Sequence, residues 1–281
     1  MGNCLVTKLN GIVDNDNLLK LGEVEVVCPA LGSILWFPSG SNTTTITNKT
    51  GYFVDKTTSE QVKTITISSA LSNYKTIQRD TIIIHEPSKI TYMESPSNLA
   101  DNPYALGYFT NARSFYFQNV LNKEFPVTFT KFIDLLSENR VVSYNKLAFR
   151  GYDLTEYSLS ELINHSSFNT LFKGIAELGF PQCRNFNINI ADLAEFSAVA
   201  SIDFTWNNVS GTIESFVAAM RTNRPNVNSF DFQFSCIDDR NNITATFNGT
   251  KITEYEDTYW AHHELTWTAN TITFMGTTIN A

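Results

Sequence analysis

The segments Ala200-Ser201-Ile202-Asp203-Phe204 and Asn228-Ser229-Phe230-Asp231-Phe232 are two copies of one short pattern. Each copy alternates apolar with polar residues, which is the period of a half-buried β-strand. The first copy continues through Thr205-Trp206-Asn207-Asn208 and Val209-Ser210-Gly211-Thr212-Ile213 into a stretch with helical apolar spacing. A strand, an asparagine turn, a helix and the next strand within about 28 residues are typical of a leucine-rich repeat. This stretch predicts an architecture but no chemistry.

Around these two copies, residues 127–242 are predicted to form a short leucine-rich-repeat-like solenoid. Residues 128–139 give the clearest helix, because their apolar positions make a single stripe. Residues 146–154 are predicted as the first repeat strand, and residues 170–175 as the second. A degenerate stretch separates these strands from the well-formed pair, so the number of repeats stays open.

Residues 243–281 follow a different pattern, which predicts a C-terminal β-hairpin cap. An Asn-Gly dipeptide inside residues 243–252 is typical of a hairpin turn. Residues 265–274 predict a second hairpin that reverses near Ala269-Asn270. An open solenoid must cover its last apolar face, and its terminal units are therefore atypical. A hairpin carrying Trp260, Trp267 and Phe274 would supply that cover.

Residues 1–90 are predicted to form an antiparallel β-sandwich. Short strand candidates recur at regular spacing with Gly, Pro, Asn and Ser between them, which favours a sandwich or barrel. The candidates are residues 5–13, 24–28, 34–37, 43–47, 51–54, 62–67 and 81–85. Residues 91–126 are assigned as a junction, in which residues 114–120 form a connecting strand or a buried helix. The predicted fold class is therefore mainly β with some α.

Composition restricts the partners that this chain can have. The chain has 281 residues and a formal net charge of −8. A nucleic-acid footprint needs clustered Lys and Arg, and the sequence has no such cluster. No apolar run is long enough to span a bilayer, and the first residues lack the apolar segment of a signal peptide. We expect neither nucleic acid nor a membrane as partner. The cysteines are scattered, which is typical of reduced, buried thiols in a protein made in a cytoplasm.

No catalytic motif rises above background, so we predict no enzymatic activity, no cofactor and no metal. His262-His263-Glu264 is the most tempting cluster, but neighbouring residues of a strand point to opposite faces and cannot share one metal. Asp238-Asp239-Arg240-Asn241-Asn242 has the composition of a Ca²⁺ loop without its alternating ligand spacing, which favours a plain polar turn. A carboxylate pair for glycoside hydrolysis stays open, because the sequence singles out no pair.

Three residues of the repeat region are predicted to bind a partner: Trp206, Asn208 and Phe234. Trp206 and Phe234 follow equivalent repeat strands, at the point where a solenoid exposes its face. Exposed aromatic side chains there could stack on a sugar or dock a protein. The alternative is that one or both aromatic side chains lie in the solenoid core.

Both ends of the chain resemble a known group of proteins. Cys4-Leu5-Val6-Thr7-Lys8-Leu9, followed by Asn15-Asp16-Asn17-Leu18-Leu19-Lys20-Leu21-Gly22-Glu23, resembles the N-termini of structural proteins in phages of gut Bacteroidales, including crAss-like phages. Residues 265–279 resemble the C-terminal hairpins of the same proteins. The resemblance covers these ends and the repeat region, about half of the chain, and does not extend to residues 86–126.

This resemblance implies a non-enzymatic virion component, either a head fibre or a capsid-decoration or tail-accessory protein. Its β-domain would anchor to other virion proteins or oligomerise, as a dimer or trimer, and its solenoid would present a binding face for a host-surface glycan or protein. One alternative is a tail-associated carbohydrate-binding or depolymerising receptor-binding protein, which would need a groove lined by paired carboxylates and exposed aromatic residues. Another is a bacterial surface adhesin with leucine-rich repeats.

Overall fold

The chain divides into two units, each with its own core. Unit 1 comprises Met1–Asn119 and Phe125–Tyr144, and unit 2 comprises Val120–Glu124 and Asn145–Ala281. Most of the regular structure of the chain is β-strand, arranged in several antiparallel sheets, and there are a few helices. The predicted mainly-β class is therefore confirmed. The computed structural model describes residues 5–9, 23–28, 44–67, 74–75, 80–95, 103–140, 142–203, 207–234, 246–247, 250–251, 261–274 and 276–280.

Unit 1 contains most of the strands predicted for the first 90 residues, although residues 34–37 lie outside the described part. Its helix α1 spans Phe129–Ser137, and 3₁₀ turns span Pro87–Lys89 and Pro103–Tyr108. The strands that begin in this unit are β1 (Leu5–Leu9), β2 (Val24–Cys28), β3 (Thr44–Asn48), β4 (Phe53–Asp55), β5 (Gln61–Val62), β6 (Thr64–Ile67), β7 (Tyr74–Lys75), β8 (Asp80–Ile84), β9 (Tyr92–Ser95) and β10 (Ser114–Glu124).

The largest sheet of unit 1 has the order β1-β2-β8-β3-β6, and all of its neighbouring strands pair antiparallel. Strand β8 lies in the middle of this sheet. Ile82, Ile83 and Ile84 are all fully buried, so apolar packing covers both faces of the strand. A continuous apolar run is the pattern of a strand buried on both sides. A smaller sheet has the order β5-β4-β7.

Helix α1 confirms the helix predicted over residues 128–139. Thr128 caps it, because its side-chain oxygen accepts a hydrogen bond from the Lys131 backbone N–H at 3.2 Å. Phe132 faces inward and lies 5.5 Å from Phe117 and 5.0 Å from Phe125, measured between ring centroids. The helix belongs to unit 1, whereas the sequence analysis placed it with the solenoid.

Unit 2 contains the two copies quoted at the outset, now seen as β14 and β16. Its helices are α2 (Leu159–Ile163) and α3 (Ile213–Asn223), with a π-helix at Phe168–Phe172 and a 3₁₀ helix at Ile190–Glu195. Its strands are β11 (Lys146–Asp153), β12 (Glu177–Gly179), β13 (Asn187–Asn189), β14 (Ser201–Asp203), β15 (Asn208–Ser210), β16 (Ser229–Phe234), β17 (Thr246–Phe247), β18 (Thr250–Lys251), β19 (Ala261–Trp267), β20 (Thr271–Phe274) and β21 (Thr277–Asn280).

Seven of the described strands and bridge residues of unit 2 form two sets of parallel pairs, which we call the first row and the second row. In the first row, β11 pairs with β12 and β14 pairs with β16. In the second row, β13 pairs with β15, and a bridge joins Ser158 to Asn187. A helix follows each member of the second row with at most two residues between them, namely α2, the 3₁₀ helix and α3. The chain therefore repeats the order strand, strand, helix.

No helix in the described ranges is long and apolar enough to cross a membrane.

The predicted second repeat strand at residues 170–175 is wrong. Phe168–Phe172 is a turn of π-helix, and the strand follows it at Glu177–Gly179. Phe168, Leu171 and Phe172 are buried, a spacing that places all three side chains on one side of a helical turn. A short apolar run fits a strand or a buried helix equally well from periodicity alone.

The predicted hairpin over residues 265–274 is confirmed. Strand β19 pairs antiparallel with β16 on one side and with β20 on the other, and β20 pairs with β21. Trp267 and Phe274 face inward, and their rings lie 6.1 Å from Phe216 and 5.9 Å from Phe232 respectively. Strands β17 and β18 pair as predicted for residues 243–252. Trp260 lies outside the described residues.

Gly211 is required where β15 turns into α3. Its φ is +92°, and a Cβ there would lie 2.7 Å from Asn189 Oδ1, the atom that caps the 3₁₀ helix by accepting from the Ala191 N–H. We predict that Gly211→Ala lowers the free energy of unfolding by about 1–3 kcal/mol through backbone strain and loss of this cap. Urea unfolding measures the change.

Gly174→Ala is the matched control, because a Cβ at Gly174 meets nothing within 4 Å. We expect this variant to change stability by less than about 0.5 kcal/mol. Equal losses in both variants would contradict the role assigned to Gly211.

Candidate functional site

The outer side of the sheet β14-β16-β19-β20-β21 is polar, because alternation places every second side chain there. Ile202, Phe232, Leu265 and Ile272 point to the buried inner side and are at most 2 % exposed. The residues between them form the outer side, which we call the polar face and define as Ser201, Ser229, Asp231, Glu264, Thr266, Thr273 and Thr278.

A groove of about 390 Å³ opens on the polar face. It is lined by Ala200, Ser229, Phe230, Asp231 and Glu264. Asp231 is half-buried and Glu264 is exposed. The strand register explains why these two carboxylates meet, since Asp231 is the direct cross-strand partner of Glu264.

The carboxylate pair has a structural cost and a chemical use. Residues directly opposite on antiparallel strands have Cβ atoms about 4.5–5.5 Å apart, and like charges in such positions destabilise the sheet. Ionised carboxylates only accept hydrogen bonds, whereas the neighbouring Ser229 hydroxyl can donate or accept. The groove can therefore bind a ligand or a protein side chain that presents hydroxyl or N–H donors.

The structure places two of the predicted binding residues, Asn208 and Phe234, in different sheets. Asn208 lies on β15, whereas Phe234 is the last residue of β16. Trp206 lies outside the described residues. The Asn208 side chain donates to the Asn185 carbonyl at 3.2 Å and to Asn187 Oδ1 at 3.3 Å, so its amide links adjacent turns of the chain. A binding role for these three residues stays a prediction.

The cluster His262-His263-Glu264 lies on strand β19. His263 is half-buried on the inner side, where its ring centroid is 6.3 Å from that of Phe274. Glu264 is exposed on the opposite side and lines the groove. Within the described ranges, no group of three or more His, Cys, Asp or Glu side chains is placed to hold a metal ion.

Cys183 is a free, buried thiol in unit 2. Burial raises the pKa of the Cys183 thiol to about 12. The thiolate is the nucleophilic form of cysteine, and Cys183 keeps its proton near neutral pH. Its role is therefore in packing rather than in chemistry.

Unit 1 contains a buried polar relay that the sequence analysis missed. His85 Nδ1 donates to Glu23 Oε1, and His85 Nε2 lies 2.8 Å from Thr47 Oγ1. Thr47 Oγ1 in turn lies 3.0 Å from Thr64 Oγ1. Glu23 is 3 % and Thr47 8 % exposed, while Thr64 is exposed. The relay thus connects a buried carboxylate to the surface, and each of its members has a hydrogen-bond partner.

No local motif could have revealed either site. The four residues of the relay lie before β2, within β3, at the start of β6 and after β8. They are brought together only by the pairing of those strands. The groove joins Asp231 to Glu264, which are distant in sequence and meet through the register of β16 and β19. The only sign of these sites in the sequence was weaker, namely single polar residues within or next to strongly apolar strand segments.

Comparison of the chain with protein-family models, with curated proteins and with solved structures finds no match. Function must therefore be inferred from the geometry of the described residues and from the resemblance at the chain ends. Of the two sites, the groove is open to solvent and the relay is mostly buried. The groove is accordingly the candidate binding site, and the relay is assigned to the stability of unit 1.

We predict that His85→Ala lowers the free energy of unfolding of unit 1 by about 1–3 kcal/mol, because it removes a hydrogen-bond partner from two buried side chains. Urea unfolding of the full chain measures this loss. Lys89→Ala is the control, since Lys89 pairs with Glu86 at the surface, where both side chains are more than 40 % exposed. An exposed ion pair contributes about 0–1 kcal/mol, so a larger effect at Lys89 than at His85 would refute the assignment.

Proposed function

We propose that unit 2 is a short leucine-rich-repeat-like solenoid closed by a hairpin cap, and that the sheets of unit 1 form a β-sandwich. The repeat proposal rests on the recurring order of strand, strand and helix. Leu147, Leu178, Ile202 and Phe232 occupy equivalent inward positions in the first row, at steps of about 24–31 residues, close to the period of this repeat. Strand β19 then covers the edge of β16, as a capping unit must.

The proposed function is that of a non-enzymatic component of a phage particle, a head fibre or capsid-decoration protein. In this proposal unit 1 attaches the chain to other virion proteins and unit 2 presents its polar face to a host-surface glycan or protein. The observation that carries the binding role is the groove between Asp231 and Glu264, because it combines hydrogen-bonding groups with an open sheet face. The resemblance at the two chain ends supplies the link to virions.

A second candidate function is a tail-associated protein that binds or depolymerises a polysaccharide. The Asp231–Glu264 pair favours it, because glycoside hydrolysis uses two carboxylates that flank the scissile bond. The described part of the polar face carries no aromatic side chain on which a sugar ring could stack. The binding role is therefore the leading proposal.

The virion assignment is tested on particles purified from an infected culture that encodes this chain. We expect mass spectrometry of gradient-purified, salt-washed particles to find the chain in a fixed ratio to the major capsid protein. Cryo-electron microscopy of the same particles then places its density on the head or on the tail. Particles that lack the chain would refute the assignment.

For the groove, we predict that the double variant Asp231→Asn and Glu264→Gln weakens attachment of the particle to host cells at least about tenfold, a loss of about 1.4 kcal/mol. The fold should persist, because the substitution removes a like-charge pair. Attachment is measured from unbound particles after mixing with cells. Release of reducing sugars from host polysaccharide, lost in the same variant, would instead favour the depolymerising candidate.

Asn208→Ala tests the alternative that the predicted binding residue Asn208 contacts the partner. Its amide hydrogen-bonds to Asn185 and Asn187, so the variant should lower stability by about 1 kcal/mol, and attachment stays unchanged if the groove is the binding site. Weakened attachment in Asn208→Ala, with normal attachment in the groove variant, would move the binding site to β15.

A further inference from the structure

Strand β21 is an edge strand that has no charged residue, no proline and no bulge. It is the outermost strand of the sheet β14-β16-β19-β20-β21, and in the described part of the chain it pairs only with β20. Its four residues, Thr277 to Asn280, pair with β20 in a regular register with no bulge. They include no charge and no proline, which are two of the features that natural proteins use to block edge-to-edge association.

The hairpin geometry identifies the backbone groups that lie free on this edge. Two residues separate Phe274 from Thr277, which is the length of a two-residue hairpin loop, and Gly276 in this loop has a φ of +73°. The residues that flank such a turn form a hydrogen-bonded pair, and these pairs alternate along the ladder with pairs that are not hydrogen-bonded. The N–H and C=O groups of Thr278 and Asn280 consequently point away from β20.

The outward groups of β21 match those of a second copy of β21. When two copies run antiparallel about a two-fold axis at Ile279, Thr278 of one copy lies opposite Asn280 of the partner subunit. Each such pair exchanges two hydrogen bonds, so the two pairs give four. Ile279 then lies opposite Ile279 of the partner subunit in a non-hydrogen-bonded pair, where side chains approach most closely.

The side chains of β21 favour a second copy over another strand. Ile279 is half-buried on the inner side of the sheet, where its cross-strand partner Ile272 is 1 % exposed. A second copy extends this isoleucine row across the axis and covers both Ile279 side chains. The chain as a whole carries a net charge of −8, which opposes self-association, but β21 itself is uncharged.

We propose that this chain forms a two-fold symmetric dimer through antiparallel pairing of β21 with β21 of a second copy. The dimer joins two five-stranded sheets into one continuous sheet of ten strands, with a polar face on each half. This contact is independent of the proposed virion role and holds whether or not the chain belongs to a particle. Because Ile279 and the Thr278 backbone carry the contact, single substitutions in β21 test it directly.

Light scattering on the size-separated full chain, over a range of concentrations, measures the oligomeric state. We expect a dimer that Thr278→Pro weakens at least about tenfold, because proline removes the outward N–H that donates to the partner. Proline is tolerated at an edge position whose N–H faces solvent, so the hairpin itself should survive, and circular dichroism checks this. Thr278→Val is the control: it keeps the N–H and the branched side chain, and it should remain dimeric.

Cysteine cross-linking gives a second measurement that does not rely on proline. In the proposed register Ile279→Cys faces its own copy, so oxidation should link the two chains by a disulfide. Thr277→Cys should not cross-link, because its copy lies four residues away along the strand, about 14 Å. The parent chain, oxidised in parallel, shows any background from native cysteines. A monomeric parent chain, a dimer that survives Thr278→Pro, or equal cross-linking of both cysteine variants would each overturn the proposal.

Discussion

Unit 2 depends on the aromatic packing between α3 and the inner side of its largest sheet. The ring of Phe216 lies 5.1 Å from Phe230, 5.5 Å from Phe232 and 6.1 Å from Trp267. These contacts hold β16 and β19 with their apolar residues inward. Since side chains of a strand alternate, the same constraint places Asp231 and Glu264 outward and opposite each other. The groove is thus a direct consequence of how the core packs.

Much of unit 2 follows from its sequence because its signals are local. The alternation that predicts β14 and β16 and the periodicity that predicts α3 each act within about 12 residues. The π-helix at Phe168–Phe172 was missed because a short apolar run fits two structures. The relay and the groove were missed because strand register, which local sequence does not encode, brings their members together.

Hydrogen bonding separates polar residues that hold the fold from those that are available to a ligand. Asn208 is polar and partly accessible, yet its amide already binds Asn185 and Asn187. His85 lies in a relay whose neighbours Glu23 and Thr47 are buried. Glu264 is exposed on an open face, opposite the carboxylate of Asp231. An exposed residue on an open face is accessible to a ligand, which is why the proposed binding role is assigned to Glu264 rather than to Asn208 or His85.

The polar face and the edge of β21 both follow from how the inner side of the sheet packs. Packing of the inner side fixes Ile272 and, one strand further out, leaves Ile279 only half covered. Charges and prolines are common in edge strands because an open edge invites association, and β21 carries neither. Threonine, isoleucine and asparagine keep the edge both soluble and able to pair. The inward and outward positions of one strand pattern therefore place the proposed binding surface on the face and the proposed assembly surface at the edge.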